Sequence, residues 1–266
     1  MKIERGKQLP DADEEAVRGE ILSELESDPE RYLGTYARLF GNVLNADNAA
    51  TLFPIYNENP ARYRVAVHPA AQWIRDELFR RALAKKGRDR DRVVFTAGGN
   101  AVGKSLAISF SGASNHSTAA VFDSTFSDPA HSVRLVGQAA GAGKRVAILF
   151  VYRPVAETLM AMLDRAGAEG RVVTLDQLIR SRRGAAETVR MLWDRFGNRS
   201  DFAFHFFDNS PGGFKESGVE LTKPGAYTEE RESLDGILDA EHRSTRISEA
   251  VYRRVKGRRE SPLCGD

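Results

Sequence analysis

The sequence has a single cysteine, Cys264, among its 266 residues. No intramolecular disulfide can form, and such usage is typical of a reducing compartment, so we expect a cytoplasmic protein. Long hydrophobic runs are absent as well, because the longest, Val146 to Tyr152, is far shorter than the roughly 20 residues that cross a bilayer. The first residues, MKIERGKQLPDADEE, lack the apolar stretch of an export signal. We therefore expect neither secretion nor a membrane partner.

An excess of one charge sign is also absent. Lys and Arg number 39 and Asp and Glu number 37, which gives a formal net charge of +2. Such a chain has no overall field that would attract nucleic acid or a membrane surface. The basic tail from Arg253 to Arg259 contains no interleaved aromatic residue, so a solvated face is favoured over a nucleic-acid site. Any charge-based function must therefore be local.

The apolar pattern alternates between strand-like and helical segments. Strand-like runs, rich in β-branched and aromatic residues, lie at 92–96, 119–122, 146–152 and 202–207. Helical patterns lie between them, at 133–140, 154–166 and 185–196. This alternation predicts an α/β protein with a mainly parallel sheet.

The flanking segments read as helical or loop-rich. From Ala12 to Phe40 the apolar spacing predicts two helices that are separated at Asp28-Pro29, and Pro69 is typical of the first residue of a helix to Lys85. A final polar helix is predicted from about Glu229 to Lys256. We divide the chain into an N-terminal helical extension (1–41), a core (42–210) and a C-terminal loop, helix and basic tail (211–266).

Residues 98–105 read GGNAVGKS and match the phosphate-binding pattern GxxxxGK[ST] between a predicted strand and a predicted helix. The candidate nucleotide-binding residues are Gly98, Gly99, Asn100, Ala101, Val102, Gly103, Lys104 and Ser105. Glycines let successive N–H groups face the phosphates, Lys104 would reach the outer phosphates, and Ser105 would hold Mg²⁺. We predict a P-loop three-layer sandwich that binds ATP or GTP with Mg²⁺. The alternative is a glycine-rich turn without a ligand.

A second glycine-rich stretch, GAGK at 141–144, precedes a predicted strand and lacks the final Ser or Thr. Gly141 and Gly143 are therefore interpreted as helix-ending residues. This stretch is not a second nucleotide site.

The flanks of the loop resemble the zeta toxin family of P-loop kinases, whose members phosphorylate the sugar of UDP-N-acetylglucosamine with ATP. VFDSTFSDPAHSV resembles the family segment with an acidic residue and a substrate-contacting threonine, here Asp123 and Thr125. DRAGAEGRVV resembles the arginine-bearing lid, which gives Arg165 and Arg171. The resemblance implies a small-molecule hydroxyl acceptor of the UDP-N-acetylglucosamine kind and an antitoxin protein as a candidate partner.

The family's catalytic aspartate normally follows the P-loop helix, but too little chain separates that helix from Ala119 to hold the required strand and crossover. The stretch NADNAATLFPIY resembles the family's aspartate segment, and VHPAAQWIRDELFRRAL resembles the helix that follows it. The resemblance therefore implies that this unit is permuted ahead of the loop and that Asp47 is the base. Strand carboxyl ends share one edge of a parallel sheet, which lets a permuted site still assemble. The expected sheet has five strands, the first at Val43-Leu44 and the others at the four runs above, in the spatial order 1-3-2-4-5.

Each candidate has a structural alternative. Asp47 and Asp123 could each cap a helix instead of serving the site. In the functional interpretation, Asp123 would suit Mg²⁺ or substrate. Thr125 is either a substrate contact or a turn residue, and His68 is either a substrate contact or a structural residue. Arg165 at a helix end is favourable for dipole reasons alone, and Arg180, Arg182 or Arg183 could replace a lid arginine.

The sequence thus predicts an ATP-dependent kinase with an alcohol acceptor, in which Asp47, Lys104, Arg165 and Arg171 are catalytic. One alternative is a nucleotide-regulated switch that hydrolyses slowly without an acceptor. A nucleic-acid kinase that uses the basic tail is a further alternative, which strong salt dependence of binding would reveal.

Overall fold

The structure, a computed structural model, describes residues 3, 9, 11–85, 91–169, 173–227 and 231–257. Its α-helices are α1 Ala12–Ser27, α2 Pro29–Phe40, α3 Ala46–Ala50, α4 Pro54–Glu58, α5 Pro60–Ala84, α6 Lys104–Phe110, α7 Pro129–Gly141, α8 Val155–Glu169, α9 Leu175–Phe196, α10 Arg231–Arg243 and α11 Glu249–Lys256. Its strands are β1 Val43–Leu44, β2 Arg92–Ala97, β3 Thr118–Phe122, β4 Arg145–Tyr152, β5 Phe202–Asp208 and β6 Lys215–Ser217. The predicted α/β class is confirmed.

The strands form one sheet in the order β1-β3-β2-β4-β5-β6. β1 and β2 both pair with β3 in parallel. The predicted order of the first five strands is observed, but the predicted number of strands is wrong. The short, exposed β6 pairs antiparallel with β5, and its sequence KES gave no strand signal because it has no apolar residue.

The chain divides into two compact units. The first unit comprises Met1–Phe95, Gly112–Asp123 and Gln138–Val146. The second comprises Thr96–Ser111, Ser124–Gly137 and Ala147–Asp266. Helices α1 and α2, predicted as an extension, belong to the first unit together with α5. The division at residues 41 and 210 therefore stays a prediction.

The first unit is built around α5 and an aromatic cluster. Phe79 of α5 lies 5.0 Å from Phe122 and 5.8 Å from Phe95, measured between ring centroids, and all three are buried. Edge-to-face pairs of this kind each stabilise by roughly 0.5–1.5 kcal/mol beyond simple burial. α5 thus packs directly on β2 and β3.

The predicted start of this helix at Pro69 is wrong, because α5 begins at Pro60 and Pro69 lies inside it. The Asn59 side chain accepts a hydrogen bond from the Arg62 N–H at 3.1 Å, which caps the helix upstream. Pro60 takes the first helical position, where a missing N–H costs nothing. Pro60 and Pro69 could each occupy the first position of a helix. The helix begins at Pro60, which follows the capping residue Asn59.

The second unit contains an apolar cluster between its C-terminal helices and α8 and α9. The buried members are Leu159, Met162, Leu163, Leu175, Leu178, Leu234, Leu238, Ile247 and Val255. The single final helix predicted from the sequence is wrong, because Thr245 adopts φ +60° and ends it. Ser248 then caps α11 by accepting from the Val251 N–H at 3.3 Å. Two short helices pack on the cluster where one long helix was expected.

Candidate functional site

The phosphate-loop sequence forms a tightly curled backbone in the second unit. Gly98, Ala101 and Gly103 all have positive φ, at 135°, 58° and 100°. Only glycine adopts such angles without strain, and a left-handed residue with a Cβ costs about 1–2 kcal/mol. The strained Ala101 lies inside the loop, which is where strain is retained for ligand binding. A backbone with such turns is of the kind that forms anion-binding loops.

Close packing explains why glycine occupies positions 98 and 103. A Cβ at Gly98 would lie 2.6 Å from the Val151 carbonyl oxygen, and one at Gly103 would lie 2.5 Å from Asn209 Nδ2. Asn209 donates from Nδ2 to the Val102 carbonyl at 2.8 Å and from its backbone N–H to the Tyr152 carbonyl at 2.9 Å. Asn209 thus ties the loop to the end of β4. From the sequence, Asn209 after the last predicted strand would be either a turn residue, which is favoured, or a neighbour of the nucleotide base.

Substituting Gly98 by alanine is expected to destabilise the protein by about 1–3 kcal/mol and to weaken nucleotide binding, because the Cβ meets a main-chain oxygen in a left-handed conformation. The matched control is Gly141→Ala in the second glycine-rich stretch, where a Cβ meets nothing within 4 Å. Thermal unfolding and nucleotide titration measure both effects. Equal behaviour of the two variants would contradict the steric explanation.

The second glycine-rich stretch ends a helix, as predicted. α7 ends at Gly141, Gly143 has φ +72°, and the Lys144 N–H donates to the Ala139 carbonyl at 3.1 Å. This is a Schellman-type helix end. Lys144 is 5% exposed, and its ammonium group donates to the Lys85 carbonyl at 2.6 Å. Its role is therefore structural.

Lys104 lies against the phosphate loop. Its Nζ donates to the carbonyl oxygens of Gly99 at 2.9 Å and Gly98 at 3.3 Å, and Ser105 beside it is exposed. The ammonium charge is thus held at the loop backbone. An anion bound by the loop would meet this charge without a large side-chain movement.

Thr125 is also at the loop. Its carbonyl accepts the Gly98 N–H at 3.1 Å, and its hydroxyl lies 2.9 Å from the Ser127 hydroxyl. Phe126 between them is buried with φ +58°, a conformation that a bulky residue seldom adopts. The segment after β3 is therefore held in an unusual turn that brings Thr125 to the first loop residue.

Asp47 follows β1 in the first unit, where the structure tests the capping alternatives. The cap of α3 is Asn45, whose side-chain oxygen accepts the Asp47 N–H at 2.7 Å. Asp47 itself lies in the first turn and is half-buried. Likewise Asp128 and not Asp123 accepts the His131 N–H at the start of α7. Both capping interpretations are wrong for Asp47 and Asp123.

Asn45 also connects the ends of β1 and β3. Its Nδ2 donates to Asp123 Oδ2 at 2.6 Å. The Tyr36 hydroxyl accepts the Asn45 N–H at 2.7 Å and donates to the Val43 carbonyl at 2.8 Å. Burial raises the pKa of Tyr36 to about 12, so the phenol stays protonated. Tyr36 and Asn45 therefore fix the backbone that carries Asp47.

His68 and Arg75 of α5 are electrostatically coupled to this group. Loss of hydration lowers the pKa of His68, and the positive charge of Arg75 lowers it further, while Asp47 acts in the opposite direction. The lowered pKa favours the neutral imidazole near pH 7, and His68 is exposed to solvent. Arg75 is buried over the Phe122 ring at 4.7 Å and is paired with Asp76 at 2.7 Å. Asp47 thus shares its surroundings with a neutral imidazole and a cation.

Of the predicted lid arginines that the structure describes, only the alternative Arg182 lies at the loop. Arg165 is exposed on α8, and Arg171 lies outside the described residues. At the loop, Arg153 Nη1 donates to the Ala101 carbonyl at 3.3 Å, and the buried Arg182 packs on Gly99. Arg153 was not predicted from the sequence, although its place directly after β4, at the carboxyl end of a strand, was the signal that could have found it.

No group of three or more His, Cys, Asp or Glu residues in the described part of the chain is placed to hold a metal ion. None of its helices is long and apolar enough to cross a bilayer.

Comparison with known families gives a match over residues 104–202, to the model of the family described as Zeta toxin. This part of the chain is zeta toxin-like. The resemblance predicted from the sequence is confirmed there, and members of the zeta toxin family are kinases. Asp47 and His68 lie before the matched residues, so the permuted unit stays a prediction.

Among solved structures, the chain is similar to one from the native AvrRxo1-ORF1:-ORF2 complex. The two share 14% identity with a TM-score of 0.41, over 76% of this chain and 88% of the other. No curated protein matches this chain.

Proposed function

We propose that the protein is a zeta toxin-like kinase that transfers the γ-phosphate of ATP to a hydroxyl of a UDP-sugar-like acceptor. The curled loop Gly98–Ser105, with Lys104 held against it, carries this proposal. The family match, which begins at Lys104, supports kinase chemistry. A protein partner of the antitoxin type remains a prediction from the resemblance.

The loop chemistry fits a nucleoside triphosphate and its metal ion. The backbone N–H groups of the loop and the ammonium group of Lys104 would bind the phosphates. A hydroxyl from the exposed Ser105 and a carboxylate from Asp123 are oxygen ligands of the kind that Mg²⁺ prefers. When bound, Mg²⁺ would neutralise charge on the phosphates.

Asp47 is our candidate for the general base, with Thr125, His68 and Asp123 as acceptor contacts. The carboxylate would take the proton of the acceptor hydroxyl while that oxygen bonds to the γ-phosphorus and the bond to the bridging oxygen of ADP breaks. The cap of α3 is Asn45 and not Asp47, which supports this assignment. The neutral His68 supports it too, because a neutral imidazole can both donate to and accept from sugar hydroxyls.

Replacing Arg165 or Arg171 singly by alanine is expected to slow transfer more than it weakens ATP binding. A mobile cation stabilises charge that develops on the transferring phosphoryl group, and this interaction is strongest in the transition state. Steady-state rates and nucleotide titrations of each variant provide the comparison. Equal losses in rate and affinity would assign these arginines to ground-state binding.

The test of the function is the transfer of label from γ-labelled ATP. The protein is incubated with UDP-sugars, nucleosides and small alcohols, and each product is separated and counted. We expect label on a UDP-sugar and ATP consumption that depends on the acceptor. ATP hydrolysis at the same rate without any acceptor would favour a regulatory NTPase over a kinase.

A further inference from the structure

We propose that Arg153 is a phosphate-binding residue of the nucleotide site, a second cation beside Lys104. This inference rests on the proposed function, because it requires that the loop binds a nucleotide. Arg153 directly follows β4 and contacts the loop through Nη1, 3.3 Å from the Ala101 carbonyl oxygen. Ala101 is the loop residue with a positive φ that a Cβ makes costly. The guanidinium is therefore at the most strained point of the loop.

The hydrogen bonds of Arg153 leave most of its donors for a ligand. A guanidinium has five N–H donors in a planar fork that matches phosphate oxygens. Within the described residues, its Nε is buried without a hydrogen-bond partner, and the bond to Ala101 is long. A buried donor of this kind is costly unless something accepts from it. A modest rotation toward a bound phosphate would give the fork two charge-assisted hydrogen bonds.

Arg182 holds Arg153 and the loop in place. It is 2% exposed, and its Nη2 donates to the Arg153 carbonyl at 2.7 Å. Its guanidinium lies 5.9 Å from the Tyr152 ring centroid and 5.3 Å from that of Tyr227. On the other side, a Cβ at Gly99 would lie 2.4 Å from Arg182 Cγ. Arg182 is thus a positioning residue between the loop and the backbone of Arg153.

A purely structural role for Arg153 predicts a different result. If Arg153 only supported the loop through the Ala101 carbonyl, its loss would lower stability and would weaken the binding of every nucleotide to the same degree. A phosphate contact loses more affinity for ligands with more phosphates, because charge is what it recognises. The dependence on phosphate number therefore separates the two roles.

The experiment titrates ATP, ADP and AMP into the full chain and into the variants Arg153→Ala and Arg153→Lys. The control is Arg145→Ala, at the other end of β4, where the exposed arginine pairs with Asp91 at 2.8 Å. We expect Arg153→Ala to weaken ATP binding about 10- to 100-fold, the range of one or two charge-assisted hydrogen bonds, and AMP binding much less. Arg153→Lys should recover part of the loss, and Arg145→Ala should bind as the parent does.

Parental ATP affinity in Arg153→Ala, or an equal loss for ATP and AMP, would overturn the assignment. If Lys104→Ala loses ATP affinity while Arg153→Ala keeps it, only the role of Arg153 fails. If the parent binds no nucleotide, the proposed function fails together with this inference. Should Arg153→Ala not fold, as judged by thermal unfolding, the comparison of Arg153→Lys with the parent decides, and an unchanged ATP-to-AMP ratio would count against the proposal.

Discussion

Asp47→Asn is expected to lower phosphoryl transfer by roughly two to four orders of magnitude while ATP affinity stays nearly intact. The substitution removes the negative charge that would take the acceptor's proton and changes little else in size. We expect nucleotide binding to depend on the loop and not on this carboxylate. Rates with the labelled acceptor, together with a nucleotide titration, measure both quantities.

The stability of this variant is expected to be close to that of the parent. Asn45 caps α3, so the carboxylate of Asp47 is not needed there. The bond from Asn45 to Asp123 and the bonds of the Tyr36 hydroxyl leave the supporting backbone unchanged. Thermal unfolding should therefore show a shift of a few degrees at most, equivalent to less than about 1 kcal/mol.

The matched control is Asp28→Asn, which changes an exposed aspartate that caps α2 by accepting the Arg31 N–H at 3.2 Å. Asparagine caps as well as aspartate, so both stability and transfer should be unaffected. An Asp47→Asn variant that transfers phosphate at the parental rate would remove Asp47 from the mechanism. It would also remove the main functional argument for a permuted unit.

The structure could be predicted from the sequence where the local residue pattern agrees with the fold. The strand β4, predicted at 146–152 and observed at Arg145–Tyr152, is a continuous apolar run of the type that is buried on both faces. The loop 98–105 was recognisable because phosphate chemistry demands glycine, lysine and serine at fixed spacing. The pairing of β1 with β3 was predicted from the resemblance of the segment after β1 to the family's aspartate unit, although β1 has only two residues.

What the sequence could not give depends on contacts between distant residues. Asn209 holds Val102 across more than a hundred positions, and Arg182 packs on Gly99 across more than eighty. Neither residue belongs to a motif, so no spacing rule identifies it. Arg153 was missed because an arginine after a strand is common, and its significance depends on which carbonyl it meets. The lowered pKa of His68 likewise depends on loss of hydration in the folded chain and then on Arg75, which lies two helical turns away on α5.

Lys104→Ala is expected to reduce ATP-dependent phosphorylation by at least about 100- to 1000-fold, the usual effect of removing a group that stabilises transition-state charge. ATP affinity should also fall, because the ammonium group pairs with phosphates in the ground state. Stability should change little, since Lys104 is only half-buried and its known bonds go to loop carbonyls that solvent can reach once the side chain is removed. Transfer rates, ATP titration and thermal unfolding test the three statements.

Lys144 provides the contrasting control, because it ends the sequence GAGK and resembles Lys104 by local sequence alone. It is 5% exposed and donates to the Lys85 carbonyl at 2.6 Å, so Lys144→Ala leaves a cavity and removes a buried hydrogen bond. We expect a stability loss of about 1–3 kcal/mol with transfer per folded molecule unchanged. Lys104→Ala should thus lower the transfer rate with little change in stability, whereas Lys144→Ala should lower stability with no change in transfer per folded molecule. Undiminished turnover in Lys104→Ala would exclude the loop from the mechanism, since no change in folding could then account for the result.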